Sequence, residues 1–181
     1  ALQNDLTISG GNENSNYFFS LGHLDQDGVI RNASYERTNA RLNYEAKLND
    51  KITFSTKMAY TFTESNRIQQ SSNVSGLMLG LLRTPPDFDG RDYKGTYYSS
   101  GGTEYINRGR SYRKSIGESS NQSYTNPLWT VNEQESSTKV NRITVTPQLT
   151  IKPTNWLQVI TRGNVDVADD KRTYFFPVGD A

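Results

Sequence analysis

A chain of 181 residues has the length for one domain with a sizeable core, yet only 33% of its residues are hydrophobic, and Tyr (11) and Phe (7) carry much of that share. A net charge of +1 with scattered basic residues lacks the footprint of a nucleic-acid binder, and zero cysteines excludes disulfide frameworks, thiolate metal sites and cysteine nucleophiles. No run of about 18 apolar residues occurs, which excludes a membrane-spanning helix but not a spanning strand, half of which is polar.

The chain opens at Ala1 without a charged or apolar leader, so any secretion signal is expected to lie outside it. Leu6 and Ile8 alternate with Thr7 and Ser9; after Gly10 to Ser15 the pattern resumes with Tyr17, Phe19 and Leu21 opposite Phe18, Ser20 and Gly22, which reads as a hairpin. A longer connection from Asp25 to Ser34 carries Gly28. Tyr35 to Phe62 then forms two strict period-2 strands. In the first, Thr38, Ala40, Leu42, Tyr44, Ala46 and Leu48 share one face, with Arg37, Asn39, Arg41, Asn43, Glu45 and Lys47 on the other. In the second, Ile52, Phe54, Met58, Tyr60 and Phe62 face with Thr56, opposite Thr53, Ser55, Lys57, Ala59, Thr61 and Thr63.

A one-residue slip would invert every side chain, so the turn between these strands must have odd length. Asn49-Asp50-Lys51 meets that demand, setting Leu48 against Ile52 and Leu42 against Met58, and a type I turn with a left-handed residue suits Asn and Asp. Each strand runs for about 12 residues, beyond the ~5–6 of globular strands and enough for the ~9–11 that a tilted strand needs to cross a bilayer.

The stretch from about Glu64 to Ser137 is too long for a plain connection. Within it Val74, Leu77, Met78, Leu81 and Leu82 keep helical spacing, with Ser72 or Asn73 as a cap and Pro85-Pro86 as a stop, so a short amphipathic helix is expected near 73–83, its stripe packed within the loop or against a barrel mouth. From Asp87 to Trp129 the chain is rich in Gly, Ser and Tyr without sustained periodicity. Ile143, Val145, Pro147, Leu149 and Ile151 then alternate with polar residues, Pro147 indicating a bulge or edge position. Beyond Pro153-Thr154-Asn155, Leu157, Val159, Val165 and Val167 fall opposite Gln158, Arg162, Asn164 and Asp166, with Ile160 interrupting the pattern. Tyr174 to Pro177 reads as the start of another loop.

Connections therefore alternate short and long, as in outer-membrane barrels, whose periplasmic turns are short and extracellular loops long. The expected organisation is four barrel strands in two hairpins over 1–63, a long extracellular loop over 64–137, two barrel strands over 138–168 and the start of another loop over 169–181, an all-β, antiparallel up-and-down architecture. Six strands fall short of the usual minimum of about eight, so a larger barrel or a second chain is expected to cover the edges.

Little here carries reaction chemistry. Asp25 to Ile30 looks like the middle of a calcium loop, but His23 and Ser34 stand where a carboxylate and a bidentate Glu belong, and Asp87 to Gly90 fails in the same way. His23 is the sole histidine and no nucleophile elbow, Walker or dinucleotide fingerprint is present. Glu133 and Glu135 read as solvated loop acids. No catalytic residue, metal ligand or cofactor is assigned, and the chain is read as a non-enzyme. Two sets could touch a solute or partner: Arg37, Asn39, Arg41 and Asn43 along the polar strand face, and loop aromatics including Tyr93, Tyr97, Tyr98 and Trp129.

Ser9-Gly10-Gly11, the strand Tyr17 to Gly22, Gln26 to Ile30, Tyr35-Glu36-Arg37 with Asn39 to Asn43, Arg83-Thr84-Pro85-Pro86 before Asp89-Gly90, and Asn126-Pro127-Leu128-Trp129 together resemble the SusC/RagA family of TonB-linked outer-membrane proteins. The resemblance implies a 22-stranded barrel filled by an N-terminal plug, a SusD-like surface lipoprotein as its lid, and energised uptake of glycans or peptides through contact with TonB. It places the chain in the bacterial outer membrane as a multi-pass segment touching lipid, the rest of the barrel and the plug, with plug and TonB contact expected outside these 181 residues. The alternative from another class is a surface binding or adhesion module, whose apolar face would pack on a second sheet.

Overall fold

A computed structural model of the chain describes residues 1–118 and 124–179; residues 119–123 of the Gly/Ser/Tyr-rich stretch and the last two residues of the expected final loop lie outside the described residues. The strands are β1 (Leu2–Gly11), β2 (Ser15–Asp27), β3 (Ser34–Asn49), β4 (Ile52–Asn66), β5 (Lys94–Tyr98), β6 (Glu104–Gly109), β7 (Glu135–Thr154), β8 (Leu157–Arg162) and β9 (Val165–Phe175), with helices α1 (Leu77–Arg83) and α2 (Pro127–Asn132). One antiparallel sheet runs β1-β2-β3-β4-β7-β8, with β9 also on β7; β5 and β6 form a separate hairpin.

The chain divides into two compact units. The first gathers Ala1–Gln26, Ser34–Ser65 and Thr138–Lys171, the strands and their short turns; the second gathers Asp27–Ala33, Asn66–Ser137 and Arg172–Ala181, the long connections.

In the strand unit, β1 pairs β2 with Leu6 opposite Leu21 and Ile8 opposite Phe19, so the apolar set of each strand shares a face. Tyr17 lies across Gly10, where a Cβ would sit 2.8 Å from its hydroxyl, an aromatic ring covering a glycine on the neighbouring strand. The short turns are neighbours. Lys47 N donates to Asn14 O at 2.7 Å and Lys152 N to Lys51 O at 2.7 Å. Asn12 Oδ1 accepts from Asn14 N and Ser15 N, and Asn49 Oδ1 from Lys51 N, the turn-forming behaviour of Asn. The turn at Asn49 to Lys51 contains no left-handed residue, contrary to the expectation from Asn and Asp; among the described non-glycines that conformation occurs at Asn32, Asn107 and Arg113.

β8 and β9 act as one interrupted strand against β7. Pro147 has no N–H to donate, and the ladder breaks across Gly163-Asn164, where Gly163 N still reaches Pro147 O at 3.0 Å. Ile160 pairs with Thr150 on the face of Gln148 and Arg162, so it is an apolar residue on the polar face; the register is continuous from Gln148 to Ile151 and shifts only beyond it, between Ile151 and Thr154. Strands extend past the expected bounds, β4 to Asn66, β7 from Glu135 and β9 to Phe175.

The loop unit has its own small core. Ile68, Leu77 and Val131 pack together with Ile30 and Ala33 against them. Helix α1 starts later than the expected 73–83, because Ser72 Oγ accepts from Val74 N and Ser75 N and closes a separate turn. Its buried residues are Leu77 and Gly80, not the whole expected stripe. Gly80 lies against Thr125 and Pro127, where a Cβ would come within 3.3 Å of a backbone oxygen, and Leu82 is 79% exposed. Helix α2 is capped by Asn126, whose side chain accepts from Leu128 N at 2.9 Å, with Pro127 in its first turn.

Candidate functional site

The polar strand face brings two of the sequence-flagged residues together. Arg41 and Asn43 line a hollow of 230 Å³ with Lys57, Met58, Ala59, Thr144 and Thr146, so its polar lining comes from odd positions of β3 and β4 and even positions of β7. Asn39 lies apart, beside Asp5 over Gly22, where a Cβ would fall 2.7 Å from the Asp5 carboxylate and 3.0 Å from Asn39. Arg37 is exposed further along β3. Lys57 is within reach of the sequence, since the expected three-residue turn would set Asn43 against it; Thr144 and Thr146 depend on the β4–β7 pairing, which no local pattern encodes.

On β7 and its partners the same face is internally satisfied. Arg142 holds Asp166 through a two-nitrogen clamp, Thr146 Oγ1 donates to Asn164 Oδ1 at 2.8 Å, and Arg162 Nε donates to Gln148 Oε1 at 2.9 Å. Arg41 and Lys57 enter no ion pair among the described residues. The face thus offers a solute two unengaged cations amid hydroxyl and amide groups.

The opposite face is apolar and largely uncovered, although Ala46 on it is buried. Leu6, Leu48, Met58, Ile143, Val159 and Val167 are all exposed. Its polar contacts gather at the strand ends that lead into the long connections, where Lys139 Nζ meets Glu64 Oε1 at 2.7 Å and His23 Nδ1 lies 3.0 Å from Thr38 Oγ1. Trp156, in the short turn after β7, is 83% exposed, suiting an aromatic at a membrane interface.

The loop aromatics separate into two roles. Trp129 is 1% exposed and meets Tyr93 edge-on at 6.3 Å, making both part of the loop interior. Tyr93 donates to Glu133 Oε1 at 2.8 Å, and Lys94 Nζ reaches the same oxygen at 2.6 Å. Burial, then the Glu133 partner, push the Tyr93 phenol above its ordinary value; the Lys94 hydrogen bond holds the Glu133 carboxyl below its own. Asp89 is held low chiefly by its side-chain hydrogen bonds from Arg91, in an exposed pair.

Tyr97 and Tyr98 alternate on the β5–β6 hairpin. Tyr97 pairs with Tyr105, the rings stacked at 6.1 Å and 29°, while Tyr98, paired with Glu104, donates to its Oε1 at 3.0 Å. Tyr97 and Tyr105 wall a cleft of 580 Å³ that also has Arg108, Lys114 and Glu118 in its lining. Sequence reading flagged Tyr97 but neither cation. The hairpin strands are five and six residues long and bulged between Gly95 and Tyr97, which leaves too short a run for periodicity to register.

No family model matches the chain. It is 33% identical over 91 residues to TonB-dependent receptor P39 of Formosa agariphila and 28% identical over 86 residues to TonB-dependent receptor P26 of the same organism, matches that cover 49% and 47% of this chain. They cover 9% and 8% of those relatives, so the matched part of the chain spans less than a tenth of their length. Among solved structures it is similar to the RagAB peptide importer in its closed-closed state, with TM-score 0.66 and 19% identity, and to the RagAB peptide transporter, with TM-score 0.67 and 20% identity. Each likeness covers 95% of this chain and 18% of the other, and carries the fold, an antiparallel barrel wall.

Proposed function

We propose that this chain, which is similar to TonB-dependent receptors and shares its fold with the RagAB importer, is a barrel segment of the SusC/RagA type and supplies six membrane-crossing strands and a large extracellular loop to a transporter of large nutrients, glycans or peptides. In this reading the barrel is completed and plugged by the rest of the same protein, energised through TonB, and closed from outside by a SusD-like lipoprotein.

The observation that carries the reading is the bare apolar face of the sheet, bounded by polar contacts toward the long connections. From Ala40 to Leu48 that face runs about 26 Å along β3 at ~3.3 Å per residue, which a strand tilt of ~40° converts to about 20 Å of height, most of an apolar band ~25 Å tall. An adhesion module would bury this face under a second sheet, and the length of the two-faced strands together with the barrel-wall fold favours lipid instead. The short turns then lie in the periplasm and residues 67–134 outside the cell. A peptide importer among the fold neighbours supports uptake of large solutes.

Replacing residues 67–134 of the full receptor by a short turn tests the assignment. The expected result is a heat-modifiable folded barrel that no longer supports nutrient uptake or co-purifies with a surface lipoprotein. Undiminished uptake and lipoprotein capture would refute the role given to this loop.

A further inference from the structure

The cleft beside the β5–β6 hairpin combines a flat aromatic wall with cations. Tyr97 and Tyr105 provide the wall, and the Arg108 guanidinium lies 5.0 Å from the Tyr105 ring centroid, which orients its donor edge. Lys114 adds a second charge from a tight turn in which it and Ser111 exchange backbone hydrogen bonds at 3.1 Å, Arg113 being left-handed between them. Neither cation enters an ion pair among the described residues. Glu118 also lines the cleft, and its Oε2 accepts from Ser115 N at 3.1 Å, so this carboxylate is already engaged with backbone. Two cations against one anion leave the lining at +1.

We infer that this cleft binds a carboxylate-bearing ligand, the acid group on Arg108 and Lys114 and the adjoining ring or chain laid along Tyr97 and Tyr105. A neutral solute would need only the tyrosine wall. A planar guanidinium beside that wall matches a carboxylate with two parallel hydrogen bonds, and the 580 Å³ volume lies within the ~300–1,000 Å³ of small-ligand sites. The chemistry is shared by acidic sugars and acidic peptides. The inference rests on the importer reading, which puts this hairpin outside the cell.

Calorimetry on the full detergent-purified receptor compares trigalacturonate with its methyl ester, and a blocked Gly-Glu-Gly-Glu peptide with its Gln counterpart. At least one acid probe is expected to bind about tenfold or more tightly than its neutral twin, and which arm shows it identifies sugar or peptide. The double variant Arg108→Gln, Lys114→Gln is expected to erase that preference and leave the neutral twin unchanged. Lys114→Gln alone, which spares the Arg108 contact with Tyr105, should lose part of it, so the result does not hang on one variant folding. Equal binding of acid and neutral probes, absence of binding by all four, or a preference that survives both variants would overturn the inference. Cellular uptake is read separately: acid preference without uptake removes the importer reading and leaves the cleft, whereas uptake without acid preference removes the cleft alone.

Discussion

The two units of the chain bury apolar surface by opposite means. In the strand unit Leu6, Leu48, Met58 and Val167 stand exposed on one sheet face, whereas in the loop unit Trp129 is sealed beside Tyr93 and Ile68, Leu77 and Val131 close on one another. A soluble sheet with that bare face would be an aggregation hazard. In the proposed reading the difference separates solvents: the loop unit supplies its own interior in water, while the strand unit leaves its apolar face for lipid to cover. Three substitutions test that separation directly.

Trp129→Ala is expected to have the largest effect, about 3–5 kcal/mol within the loop unit, because it empties a sealed aromatic site. Limited proteolysis should cut the loop while heat-modifiability reports an intact barrel; a loop that stays protected would show that Trp129 is not its keystone. Leu42→Arg comes next, expected to cost ~2–4 kcal/mol if that position meets mid-bilayer lipid as proposed. Its neighbour Arg41→Leu should leave barrel yield nearly unchanged, since Arg41 opens onto the polar hollow. Equal losses from both would collapse the assignment of faces.

This contrast also explains which parts the sequence discloses. Strand faces follow from a period of two, which makes Arg41, Asn43 and Lys57 accessible to local reasoning, and the hollow brings the three together. The loop unit is assembled from distant pieces: Ile30 packs near Val131, and Asn32 Nδ2 donates to Val131 O at 3.0 Å. No periodicity encodes such pairings. Helix α1 shows the limit most clearly, because its apolar stripe was readable but its buried side depends on Gly80 fitting against Pro127. The cleft cations eluded reading for a related reason, as Arg108 and Lys114 reach Tyr97 only through a bulged hairpin and a left-handed Arg113.

A smaller effect is expected at the helix that carries Trp129. Asn126→Ala removes the cap from α2, including the bond from Leu128 N, and also the donation from Asn126 Nδ2 to Gly90 O at 3.1 Å. A loss of about 1 kcal/mol is expected from the cap, with further cost if the Gly90 carbonyl stays buried without a partner. Hydrogen exchange at α2 should rise while the strand amides are unaffected. Asn126→Asp separates the two bonds, since it keeps the cap acceptor and deletes the donor to Gly90.

The smallest expected effect is a pH dependence confined to the loop unit. Glu133 accepts from both Lys94 and Tyr93, and the Lys94 bond first of all lowers its folded pKa beneath the ordinary value of 4.5. A carboxyl with a lowered folded pKa stabilises the fold above its unfolded pKa, and that contribution disappears as pH falls through the folded pKa. Protection of residues 93–94 and 129–133 from hydrogen exchange should therefore hold steady from pH 7 to about 5 and decline below 4.5. Lys94 is partly exposed, so the pair is worth no more than the ~0–1 kcal/mol of a surface ion pair. Glu133→Gln should remove this acid sensitivity while keeping an acceptor for Tyr93, and the exposed Asp89–Arg91 pair provides a control that salt should screen more readily. Acid loss of protection that persists in Glu133→Gln would assign the titration to another group and leave Trp129 and its packing, rather than this charged cluster, as what holds the loop interior closed.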